Sequence, residues 1–117
     1  MTVRRLKTYT AETGRVYQYY FVGHRPAPAS FGQPATEYVF DISSDRRSVL
    51  AVSVFLLENA VGAWAERHGR MLVETERYAA AKLRLLKAFD EIENMSEVNG
   101  IPIGPEELDE LLEPLDL

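Results

Sequence analysis

The sequence predicts an α+β domain: a four-stranded antiparallel sheet built from two hairpins, two C-terminal helices packed on one of its faces, and an acidic C-terminal tail. Three observations lead there. Two pairs of β-branched and aromatic runs fill the first half of the chain, each pair joined by turn-forming residues. After Leu57 the apolar period lengthens from 2 to about 3.6 residues, the change expected on passing from strand to helix. From Asp90 to the end there are ten acids and no cation.

The first hairpin centres on KTYTAETGRVYQYYF, Lys7 to Phe21. Val3 to Thr10 and Arg15 to Val22 are rich in tyrosine, valine and threonine. Ala-Glu-Thr-Gly between them suits a three-residue loop with a bulge, Gly14 supplying the positive φ. If Ala11 pairs with Arg15, then Tyr9 faces Tyr17, Lys7 faces Tyr19 and Arg5 faces Phe21, all on one side of the sheet. The opposite side carries Leu6, Val16, Tyr20 and Val22 and is the expected core face. The side with the cations and tyrosines is then expected to look outward.

His24 to Ala35, HRPAPASFGQPA, holds three prolines and a glycine and is expected to be an irregular connection rather than strand. A second hairpin follows, with EYVFDIS and SVLAVSVFL flanking an SSDRR turn. Tyr38, Phe40 and Ile42 alternate on one face, as do Leu50, Val52 and Val54, while Val39, Asp41, Ala51 and Ser53 occupy the other. That is the pattern of an antiparallel sheet buried on one side.

Helical spacing begins at Leu57, with Ala60, Val61, Trp64 and His68 on one face and Gly69 placed as a stop. A second helix is expected from about Thr75 to Asn94, its apolar stripe formed by Tyr78, Ala81, Leu85, Phe89 and Ile92, with Lys82 inside the stripe. GIPIGPEELDELLEPLDL closes the chain, broken by Pro102 and Pro105 and able to form a short acidic helix from Pro105. The organisation expected is one α+β domain over residues 1–98 and an acidic, proline-interrupted tail over 99–117, peripheral to the core.

A chain of 117 residues has room for one core and no separate cofactor domain. It has no cysteine, which excludes thiol catalysis, iron–sulfur clusters and cysteine zinc sites. MTVRRLKTYT carries arginines without an apolar stretch behind them, and no window reaches the length of a membrane span, so a soluble, cytoplasmic protein is expected. Residues 1–50 carry seven cations and four acids (+3) and residues 51–117 carry six cations and fourteen acids (−8), together the net −5.

Tyr78-Ala-Ala-Ala-Lys82 resembles the Tyr-x-x-x-Lys pair of short-chain dehydrogenases, in which a lysine one helical turn away stabilises a phenolate for proton transfer. The resemblance covers those five residues; the family's Gly-rich strand-to-helix turn and βαβ alternation do not accompany it. Lys82 is otherwise expected to lie along the apolar stripe with its ammonium reaching solvent, Asp41 or Glu93. His24 and His68 stand apart, with no metal-ligand spacing, and Ser43, Ser44 and Ser48 sit in a turn without a nucleophile elbow. No catalytic residue, metal or cofactor is expected.

Arg5, Lys7, Tyr9, Arg15, Tyr17, Tyr19 and Phe21 form the candidate binding surface, since tyrosine and arginine concentrate in interface hot spots. The expected role is a small non-enzymatic interaction or assembly module, homo-oligomeric through this face or the sheet edges, with itself or another protein as partner and no membrane. Cation–aromatic mixtures also stack bases and neutralise phosphates, so single-stranded nucleic acid is the alternative partner, weighed down by the net acidity. A ligand or enzymatic pocket using Tyr78, Lys82 and Asp41 is the further alternative.

Overall fold

Apolar alternation in the second hairpin forces one face of a sheet to be covered, and the helices that follow supply the cover. The computed structural model describes residues 5–29 and 31–117. Its strands are β1 (Lys7–Thr10), β2 (Val16–Ala27), β3 (Ala35–Ser43), β4 (Leu50–Leu57) and β5 (Ile101–Ile103); its helices are α1 (Glu58–His68), α2 (Glu74–Glu91) and α3 (Pro105–Leu112). The fold is α+β. Sheet order follows chain order from β1 to β5, antiparallel throughout except for a parallel β4–β5 pair. Four of the five strands are the expected ones, although the first was expected from Val3, and residues 1–4 lie outside the described residues.

Both helix expectations hold to within a few residues. Gly69 ends α1 in the left-handed conformation at φ 70°. The α2 stripe turns to the sheet, with Ala81, Leu85 and Phe89 buried and Tyr78 and Ile92 packed against that core. Among the described residues no helix is long and apolar enough to cross a membrane.

Two expectations are overturned here. Residues 99–117 are not peripheral: Ile101, Ile103, Leu108 and Leu112 are all buried at 3% exposure or less. The reason is topological, since the two helices after β4 return the chain alongside it, the crossover that a parallel pair requires. Pro102 is tolerated because β5 is an edge strand. Gly100 makes the approach feasible, with φ 155° and a position where a Cβ would stand 2.8 Å from the Phe55 ring. The long loop is also shorter than expected. β2 continues through His24, Arg25 and Pro26 to pair with β3, because β2 has outrun β1 there and Pro26 needs no donor on its open side.

The third correction concerns the first hairpin. The register is the expected one, Lys7 opposite Tyr19 and Tyr9 opposite Tyr17. The buried face is the reverse: Tyr17 and Tyr19 are 2% and 4% exposed, whereas Leu6, Val16 and Val22 are 55%, 40% and 40% exposed. Pairing between the hairpins explains it. Tyr19 lies opposite Ile42 and Phe21 opposite Phe40, so the tyrosine face is continuous with the buried face of β3 and β4.

Candidate functional site

The expected binding surface is divided by α2. Phe89 from that helix stacks on Tyr17 with ring centres 4.1 Å apart and planes 5° apart, and its ring also lies 6.0 Å from both Tyr9 and Tyr19. Phe21 meets Tyr78 edge to face at 4.9 Å. The Tyr9 hydroxyl donates to Asp90 Oδ2 at 2.7 Å, and Asp90 Oδ1 accepts the Glu12 backbone N–H at 2.9 Å. Arg15 donates to the Glu93 carbonyl at 2.8 Å, just past the end of α2. Arg5 is exposed. Tyr17 and Tyr19, expected to lie outside, are therefore core.

Lys7 and Lys82 are the exception within this packing. Lys7 points inward from β1 beside Tyr19, and Lys82 projects from α2 one turn beyond Tyr78. Both lysines are half-buried. Lys7 is the main cause that lowers the pKa of Lys82, and burial adds to it. The Tyr19 phenol is pushed up by burial and by the neighbouring Tyr78. Among the described residues every ion pair uses arginine or histidine, so neither Asp41 nor Glu93 meets Lys82. Asp41 lies on the opposite face of the sheet, where it accepts the Tyr20 hydroxyl at 2.7 Å. The expected grouping of Tyr78, Lys82 and Asp41 is thus split.

A second polar cluster, which sequence spacing does not reveal, surrounds a cleft of about 600 Å³ between the β2–β3 tip and the starts of α1 and α2. Tyr38 donates to Glu74 Oε1 at 2.9 Å, and His24 Nε2 stands 3.7 Å from the same oxygen with its ring stacked on Tyr38 at 5.4 Å. Burial and then Glu74 push the Tyr38 phenol far above its ordinary range. Arg77 donates to Thr36 at 3.0 Å and to Glu58 at 3.3 Å. These groups neutralise one another and tie the helix starts to β3.

The face away from the helices is the third feature. Its rows across the strands run Leu6, Tyr20, Asp41 and Ala51; Val22, Gly23, Val39 and Ser53; and Arg25, Glu37 and Phe55. A bulge between Phe21 and Gly23 keeps Val22 on this side. Its polar groups are paired internally. Arg25 Nε and Ser53 Oγ each donate to Glu37 at 2.6 Å, and Arg25 first, then Ser53, holds that carboxyl below the usual range. Phe31 covers Phe55 edge-on at 5.0 Å. No group of metal-ligating side chains is present among the described residues. Compared with known protein families, curated proteins and solved structures, the chain matches none.

Proposed function

We propose that this chain is a small non-enzymatic assembly module that self-associates through the open face of its sheet. The observation that carries this reading is where the exposed apolar side chains stand. Leu6, Val16, Val22, Phe31 and Val49 are between 40% and 65% exposed and all belong to the face that no helix covers. Since Glu37 and Asp41 already have partners within the chain, covering the face would strand no carboxylate.

A second copy is the occupant that fits. Among the described residues, Arg25, Glu37, Asp41 and Arg46 on or beside the face carry two charges of each sign, so these groups would meet those of a second copy without net repulsion in the two-fold arrangement usual for such contacts. The 36 residues of the five strands, at about 3.3 Å per residue and about 4.8 Å between strands, give a projected area on the order of 570 Å², comparable with one side of a standard interface once corrugation is included. Strand addition at the edges is less suited. β1 has 4 residues, β5 has 3 with a central proline, and the free part of β2 carries a bulge, Arg25 and Pro26. The nucleic-acid alternative loses its stacking platform, because Tyr17 and Tyr19 lie under α2.

Sedimentation equilibrium across the micromolar range should give a dimer mass. The double substitution Leu6→Glu and Val22→Glu should shift the chain to monomer and, compared in samples dilute enough for both to be monomeric, should leave the melting temperature unchanged, as both positions are exposed within one copy. A wild-type chain that stays monomeric over that range would remove the proposal.

A further inference from the structure

Where α1 meets α3, the geometry points to a binding site for an aliphatic diamine. The two helices and the turn after α3 line a pocket of about 340 Å³, within the size range of small-ligand sites. Its apolar side is made by Trp64, Leu112 and Leu117, the last of them 41% exposed. His68 stacks on the Trp64 ring at 4.1 Å with planes 13° apart, which fixes the indole at the pocket. Across from them Arg67 of α1 pairs with Asp109 Oδ2 of α3, and both residues line the pocket. The other oxygen of that carboxylate, Oδ1, is buried and accepts no hydrogen bond. A buried acceptor left open is unfavourable, and a donor lodged beside Asp109 would relieve it.

Charge selects the ligand class. Arg67 and Asp109 offset each other, whereas Glu113 and Asp116, which also line the pocket, join no ion pair among the described residues. With His68 neutral, the lining carries two negative charges in excess. A water molecule could fill the open acceptor but would leave that excess in place. A bare metal ion is a poor match too, since among the described residues no three acidic or imidazole side chains are grouped to hold one. A diamine brings two ammonium groups, each a threefold donor, and a methylene chain to lie along the apolar side. The pocket is built from helical elements, none of which covers the open sheet face, so the assignment does not depend on self-association there.

Trp64 is the one tryptophan of the chain and His68 one of its two histidines, so the indole Nε1–H and imidazole Cε1–H proton signals report on the pocket, with His24 on β2 as an internal control. Titration with putrescine, a four-carbon diamine, at neutral pH and constant chloride should move the Trp64 and His68 signals saturably in the millimolar range or below, with His24 nearly still. Butanediol should move neither, and butylamine should bind more weakly by about tenfold or more, because one charged contact is missing. Glu113→Gln combined with Asp116→Asn should weaken putrescine binding by about tenfold or more without lowering the melting temperature. Both positions are exposed, and asparagine, like aspartate, tolerates the left-handed backbone at Asp116, φ 53°. No saturable shift, equal shifts at both histidines, equal affinity for butylamine, or binding unchanged in the double variant would overturn the assignment.

Discussion

Phe89 is the residue on which the first hairpin rests, because three tyrosines from β1 and β2 converge on its ring. Tyrosine is favourable inside when its hydroxyl finds an outlet, and Asp90 and Glu74 provide outlets for Tyr9 and Tyr38 at the rim of the core. Phe89→Ala should cost about 3 to 5 kcal/mol in urea unfolding. Tyr19→Ala should cost about 2 to 4 kcal/mol, and Tyr20→Ala less than about 1.5 kcal/mol, because Tyr20 stands on the open face with its hydroxyl on Asp41. The reverse ranking would mean that the hairpin is turned the other way. Strict alternation made the pairs within this hairpin legible in the sequence, but not which side is buried. Aliphatic Leu6, Val16 and Val22 look more core-like than tyrosines, and the deciding contact, Tyr19 opposite Ile42, depends on a long loop and a bulge that no local pattern reports.

Among the elements, α2 has a charge-dependent start and β5–α3 a packing-dependent one. Glu76 accepts the Val73 backbone N–H at 2.9 Å and pairs with Arg70 at 2.7 Å; Arg70 first, and then that amide, lowers its pKa to about 2. A depressed carboxyl stabilises the fold above its unfolded value of about 4.3, and that contribution is lost as pH falls toward the folded value. The stability difference between wild type and Glu76→Gln should therefore be present at neutral pH and close between about pH 4.3 and 2 in urea melts; a difference independent of pH would refute the role given to Arg70. Deleting residues 101–117 removes Ile101, Ile103, Leu108 and Leu112 from the core. At about 1.5 to 3 kcal/mol each this is on the order of 6 to 12 kcal/mol, comparable with the whole stability of a small domain, so cooperative unfolding should disappear. A truncated chain that still melts cooperatively would show that β5–α3 is dispensable. The sequence shows α3 through Pro105 and the spacing of Leu108 and Leu112, yet hides β5, since three residues around a proline carry no strand period.

At the scale of the molecule, the helices pack on one sheet face, while the other, among the described residues, is covered by no helix. Half of this asymmetry was legible: Tyr38, Phe40 and Ile42 against Val39 and Asp41 announce a one-sided sheet. The polar cluster at the cleft was not, because His24 and Glu74 are brought together by helix placement across a long stretch of chain. The open face yields the central claim, and methyl NMR with a soluble paramagnetic agent tests it most directly, comparing dilute and concentrated samples. Leu6, Val16, Val22 and Val49 should be reached by the agent when dilute and shielded when concentrated, while Met71, Val73 and Leu115, exposed at 62%, 55% and 44% away from that face, should be reached equally in both. If the methyl groups of all seven residues are reached equally at both concentrations, the open face is not where copies of this chain meet.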